Sequence, residues 1–317
     1  VAERLGIRFV SGKTHMDVGD GAPAELLEDP EKSLADAAEI GQRWHGAADG
    51  RLGYAVAPRF ALSCSPVLLR GCAELARANG WLLQTHAAET SAEVEEVRAM
   101  SGLGNIEFLD SHGLVGDDVI LAHGIHLEKA DVRRLAETRT TICHCPGANL
   151  KLGSGIADVP GLIQSGIPVV LGADGPPCNN RLSIFHEMSL AATIHGLRYG
   201  PTTLGPWAVL GMATRDAAAA LHIGNEVGTL ENGKAGDVIV VELDEWSALP
   251  GGDPASRIVF GGGPHMVRHV VVAGRPLVVD GKLVDVDAKA LRHRIDEAWK
   301  ATRQRMEEVQ GRSVHHG

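Results

Sequence analysis

Short apolar runs, each closing on a polar residue and each followed by an amphipathic helix, recur along most of the chain. That alternation restricts the fold more than any other feature. The runs open at Ile7, Leu52, Trp81, Val119, Thr140 and Ile167, and helical periodicity covers 30–47, 65–79, 91–99, 127–137, 159–165, 182–195 and 207–221. Fully apolar strands joined by crossover helices are parallel strands. Six such units fall two short of a closed (β/α)8 TIM-type barrel, while an open doubly wound sheet would need no more. The chain opens on Ala2-Glu3-Arg4-Leu5-Gly6, which reads as a helix end with a glycine stop, and Val1 is not a methionine. The expectation is therefore a barrel whose first strands lie upstream of an N-terminal truncation.

After Leu221 the texture changes to turns and short strands: Val238-Ile239-Val240-Val241, then a hairpin around Gly274-Arg275. The expected organisation is a barrel over 1–222, a small β-sandwich-like domain over 223–285, and a C-terminal helix and tail over 286–317. A net charge of −10 argues against nucleic-acid or anionic-membrane partners, which need a basic footprint. No run approaches the ~20 apolar residues of a membrane span. No charged and apolar leader opens the chain, and five cysteines, sparse and odd in number, suit a reduced cytoplasmic protein.

In barrels of this kind reactive groups sit at the C-terminal ends of strands. Here the run 52–58 ends in Arg59, 81–85 in His86-Ala87-Ala88-Glu89, 119–122 in His123, 140–143 in His144-Cys145-Pro146, and 167–173 in Asp174. Imidazole and carboxylate suit Zn²⁺ or Fe²⁺, and such an ion lowers the pKa of water to about 7. Glu89 follows His86 by three positions, where it can carry a proton to a leaving group. One strand-end His is commonly a hydrogen-bonded structural residue and one strand-end Asp a helix cap; four such positions on successive strands are harder to dismiss. Cys143-His144-Cys145 lacks the spacing of a structural zinc site, and without any C-x-x-C the cytidine-deaminase signature is excluded. His15, His45, His112, His195, His222, His293, His315 and His316 read as solvated. Gly261-Gly262-Gly263 lacks the strand and helix of a phosphate loop and reads as a turn.

Four of these segments resemble the amidohydrolase superfamily in its own order. Gln84-Thr85-His86-Ala87-Ala88-Glu89-Thr90 resembles its strand-5 H-x-x-E, and Leu121-Ala122-His123-Gly124 its strand-6 histidine. His144-Cys145-Pro146-Gly147-Ala148-Asn149-Leu150-Lys151-Leu152-Gly153-Ser154-Gly155 is similar to a segment of the aminohydrolase branch, and Gly172-Ala173-Asp174-Gly175 to the strand-8 aspartate. The resemblance runs to about Val284.

It implies a site for one divalent metal, Zn²⁺ or Fe²⁺, with His86 and Asp174 as ligands. Glu89, His123 and Asp174 would be catalytic, and Arg59, Glu89 and Asn149 would meet the substrate. Arg59 stands where some branches carry a lysine, so a carbamylated two-metal site is not expected. The family's strand-1 H-x-H, which supplies two further ligands, has no match in the chain; the pair is expected upstream of Val1, and the chain without it is expected to hold its metal loosely and to be inactive. The implied reaction is hydrolytic deamination of an aminated purine or related N-heterocycle. The segment 172–187 points to a 5′-substituted adenosine, and 57–65 to guanine. A triazine is a third option, and a non-catalytic scaffold is the alternative of another class. The resemblance also implies a homodimer.

Overall fold

The computed structural model describes residues 1–19 and 21–314, with side chains as far as Glu307. β1 (Phe9–Ser11) and β2 (Thr14–His15) both run parallel to β3 (Leu52–Pro58), at Phe9↔Leu52 and His15↔Pro58. They are one strand interrupted at Gly12, where a Cβ would stand 1.6 Å from the Ala55 carbonyl oxygen. The backbones press together there, and only glycine permits it.

Along β3, buried Leu52, Tyr54, Val56 and Pro58 alternate with half-buried Gly53, Ala55 and Ala57. Tyr54 and Val56 belong to one core with Leu68, Leu69 and Cys72 of the helix Pro66–Asn79. The bulky positions thus meet the helices, and the small ones line the other face of the sheet. Ser65 caps that helix through the Leu68 amide, and left-handed Gly80 ends it.

β4 (Leu82–Ala87), β5 (Val119–His123), β6 (Thr141–His144) and β7 (Val169–Leu171) follow, all parallel. The order is β1-β3-β4-β5-β6-β7, each strand beside its sequence neighbour. A doubly wound sheet would reverse direction partway. This one does not, so it winds as a barrel does.

The helices depart from the sequence reading in particulars. Residues 207–221 form two helices, Pro206–Met212 and Arg215–Ala220, broken at Thr214. Asn105–Ser111, Pro146–Leu152 and Pro254–Gly261 are helices the periodicity did not show. Each is eight residues or fewer, too short to display a 3.6-residue repeat.

β8 (Val238–Val241), β9 (Val267–Val272), β10 (Arg275–Val279) and β11 (Lys282–Leu283) form an antiparallel sheet in the order β11-β10-β9-β8. The hairpin turns at Ala273 (φ 49°) and Gly274 (φ 77°), the pair of positive angles that matches strand twist. Arg8 joins this sheet to the barrel. Its Nε donates to Asp237 Oδ2 at 2.8 Å and its Nη2 to Oδ1 at 3.1 Å. The helix Ala288–Val314 closes the described chain. Among the described residues no helix is long and apolar enough to cross a membrane.

Two of the histidines read as solvated are buried. His15 is 0% exposed and bonds Ser33 Oγ through Nδ1 at 2.9 Å, behind the sheet under the helix Pro30–Trp44. His195 is 2% exposed and faces His144 with ring centroids 5.6 Å apart. Both were misread because local sequence carries no record of which helix covers a given position. His315 and His316 lie outside the described residues.

Candidate active site

β4 and β5 stand in register at His86↔Ala122 and Ala87↔His123, so the two histidines end neighbouring strands one residue apart. Their rings stack with centroids 5.4 Å apart and planes 30° from parallel. His86 Nδ1 lies 2.7 Å from the Arg59 carbonyl oxygen. A carbonyl only accepts, so Nδ1 carries the proton and Nε2 keeps its lone pair. Burial pushes the His86 pKa down, with the neighbouring His123 adding to the effect.

His123 is wholly buried, and its Nδ1 lies 2.8 Å from Asn149 Oδ1. With the amide oriented so that Oδ1 accepts, Nδ1 donates and Nε2 is again the lone-pair atom. That Nε2 is buried with no hydrogen-bond partner and stands 3.6 Å from Glu89 Oε2. Glu89 Oε1 accepts from the Ser154 hydroxyl at 3.0 Å. Two imidazole lone pairs and one carboxylate therefore converge over the ends of two strands.

The loop that presents Glu89 is pinned from below. Buried Glu93 accepts from the Ala88 and Glu89 amides at 3.2 and 2.8 Å, and from Asn105 Nδ2 at 2.9 Å. Asp174 follows β7, and its Oδ1 accepts from the Gly175 amide at 2.5 Å. Ala88 (φ 50°), His123 (φ 75°) and Asp174 (φ 61°) all adopt left-handed backbone, which non-glycine residues hold only when their surroundings enforce it.

A second buried carboxylate ties the next two loops together. Glu187 Oε2 accepts from the Gly147 amide at 2.8 Å, at the start of the helix that carries Asn149. Its Oε1 accepts from Asn179 Nδ2 at 2.6 Å, on the loop leaving Asp174. Lys151 Nζ adds bonds to the Pro177 carbonyl at 2.7 Å and to Asn180 Oδ1 at 2.6 Å across the same loop. Sequence reasoning missed Glu93, Glu187 and Ser154. Two carried a signal: Ser154 stands inside the segment 144–155 quoted for its resemblance, and Glu187 lies four residues from Ala191 on the buried face of its helix.

The remaining sequence candidates are placed as follows. The Arg59 side chain is exposed and lies over the Phe60 ring at 4.7 Å, while its carbonyl serves His86. Asn149 sits behind His123, 1% exposed, with Nδ2 unpartnered. All five cysteines are free thiols. His144, between Cys143 and Cys145, is wholly buried with neither ring nitrogen bonded, and burial pushes its pKa down to about 3.

The free Nε2 of His86 and the Asp174 carboxylate suit a borderline divalent cation in kind. In number they fall short, since no group of three or more ligating side chains is assembled among the described residues.

Residues 1–277 match the amidohydrolase family. The chain is 36% identical to 8-oxoguanine deaminase of Pseudomonas aeruginosa over 93% of its length and 67% of that protein. It is 33% identical to 5-methylthioadenosine/S-adenosylhomocysteine deaminase of Moorella thermoacetica, over 87% of this chain and 68% of the relative. Among solved structures, an adenosine deaminase from Xanthomonas campestris with bound zinc superposes with a TM-score of 0.89 at 27% identity, covering 96% of this chain and 68% of that one. The chain thus spans about two thirds of the length of the proteins it matches. Strand-end histidines, a left-handed aspartate after β7 and a match over 1–277 lead to one conclusion: this chain belongs to the amidohydrolase family.

Proposed function

We propose that the chain carries the strand-end groups of a metal-dependent aminohydrolase that deaminates an aminated purine, of the 5′-substituted adenosine kind. The observation that supports this most is the pairing of Glu89 with the unpartnered Nε2 of His123 at 3.6 Å. It sets an acid–base carboxylate beside an imidazole fixed as an acceptor. His86 and Asp174 would contribute two ligands to one divalent ion, Zn²⁺ in the first instance. When bound, the ion would supply Lewis acidity that makes water acidic near neutral pH.

The protein groups then divide the remaining work. His123 Nε2 accepts a hydrogen bond from the attacking water, because Asn149 holds the ring with its proton on Nδ1. Asp174 takes a proton from that water. Glu89, steadied by the Ser154 hydroxyl, protonates the ring nitrogen beside the carbon under attack. Water is added, ammonia leaves, and an exocyclic amine becomes a carbonyl.

A second reading, a guanine-type substrate, is favoured by Arg59. Its guanidinium makes no hydrogen bond or ion pair among the described residues, and it stands free to meet a purine carbonyl. The small-molecule substrate, a cytoplasmic setting and a homodimer belong to the same proposal.

Ammonia release from zinc-loaded protein, screened across 5′-substituted adenosines, guanine and aminotriazines, tests the assignment. Glu89→Gln should cut turnover by roughly 10²–10⁴-fold while bound zinc stays unchanged. Unchanged turnover removes Glu89 from the mechanism. A protein that carries the strand-1 H-x-H, holds zinc and still releases no ammonia from any of the three classes is a scaffold, not a deaminase.

A further inference from the structure

Gly262 and Gly263, part of the glycine run read from the sequence as a turn, line one side of a cavity of about 490 Å³. The opposite wall is the start of the helix Ile184–Ile194. Side chains of Arg181, His186 and His265 line the cavity, with no carboxylate among them. Four other surface cavities each carry at least one carboxylate: Asp117 and Asp216, Glu128 and Asp158, Glu226, and Glu3. In a chain with a net charge of −10, a basic cavity free of acids is set apart from its surroundings.

One lining residue carries an unsatisfied polar group, shut off from solvent beneath the cavity surface. Ser183, at the N-cap of the helix, is 8% exposed, and its hydroxyl caps no amide. Its Oγ is buried with no hydrogen-bond partner. Such a group costs free energy unless something pairs with it. The first-turn amides of a helix point outward and favour an anion.

The glycines shape the wall. A Cβ on Gly263 would lie 2.7 Å from His265 Cε1 and 2.8 Å from its Nδ1, so the imidazole folds back across a glycine surface. A Cβ on Gly262 would lie 2.1 Å from the Ile258 carbonyl oxygen and 2.9 Å from Phe185 Cδ1, so only glycine fits between the helix end and the phenyl ring. Arg181 Nη1 stands 3.4 Å from His186 Nδ1. A guanidinium only donates, which leaves His186 Nε2 as a donor. Phe185 and Phe260 give the cavity two aromatic faces.

We propose that this cavity binds a phosphate monoester with an aromatic body. Arg181 and His265 would hold the phosphate oxygens, and Phe185 and Phe260 the ring. The glycine run escaped notice as an anion site because the helix it faces comes earlier in the chain, where a strand–glycine–helix pattern does not look. The cavity's lining includes none of His86, Glu89, His123 and Asp174, and its test does not require the deaminase reading to hold.

Calorimetric titration of the chain with phenyl phosphate, inorganic phosphate and phenol at fixed ionic strength tests the proposal. Phenyl phosphate should bind tightest, with phenol at least about tenfold weaker, as expected when charge-assisted hydrogen bonds carry affinity. The Arg181→Ala/His265→Ala double variant should weaken phenyl phosphate at least about tenfold. Both side chains are exposed, so circular dichroism should show an unchanged fold. Arg198→Ala, which removes an exposed arginine outside the cavity, should leave binding as it was. Absence of binding, equal binding of phenol, an unaffected double variant, or equal loss in Arg198→Ala would each overturn it.

Discussion

His123 and Asn149 are bonded Nδ1 to Oδ1 at 2.8 Å with both side chains buried, and this contact decides which face of the imidazole is left to react. Asn149→Leu strands the Nδ1 proton in the interior. It should cost about 1–3 kcal/mol, the range for a buried donor left unpaired. Urea unfolding checks this, and an unchanged midpoint would mean that the ring finds another acceptor.

His144 gives the fold an acid-sensitive centre. Burial holds its pKa at about 3 against an ordinary 6.5, so the unfolded chain takes up the proton first as pH falls. The associated stability is fully present above pH 6.5 and drains away as pH drops toward about 3. His144→Leu, which removes two unbonded ring nitrogens, should flatten the acid limb by up to one proton's worth of slope. Unfolding free energies measured across that range would show it; a parallel acid limb would place the sensitivity elsewhere, His15 first, whose pKa burial lowers to about 4.

At Gly147 an added Cβ would stand 2.6 Å from both Asn179 Nδ2 and Glu187 Oε1. Gly147→Ala must wedge apart the carboxylate that ties two loops, at about 1–3 kcal/mol, the usual cost of overpacking. Asn179 Oδ1 also accepts from the Arg181 amide, so the same variant should speed tryptic cleavage after Arg181. An unaltered cleavage rate would show that Lys151 alone holds the loop.

The Arg8–Asp237 pair, part-buried and two-pronged, ties the segment before β1 to the small sheet. Arg8→Ala leaves Asp237 with only the Ala273 amide. Amide exchange should then quicken in β8 and β9 before it quickens in β4 and β5. Uniform acceleration across both sheets would instead indicate a single cooperative unit.

The strand ends were legible because parallel strands are continuous apolar runs, and a polar residue closing such a run stands out. His86, His123 and Asp174 stand out in the sequence that way, and Glu89 by its offset from His86. Glu93 and Glu187 were not, because a buried carboxylate looks like any helical glutamate until the amides it serves arrive from other segments. The helix Pro146–Leu152 was hidden inside a segment that had drawn attention for its residue types alone. His15 and His195 show the reverse error: a polar letter in a loop or at a helix end says nothing of what packs over it.

His123 and Asp174 each turn the chain and present a side chain of the proposed site in one residue. Substitution there alters two quantities together, the chemistry and the ease with which the backbone reverses. Alanine at either position would therefore register as loss of function for mixed reasons. Asparagine tolerates the left-handed region almost as well as histidine and aspartate do. Replacement by asparagine at these two positions is the comparison that reads chemistry with geometry held fixed.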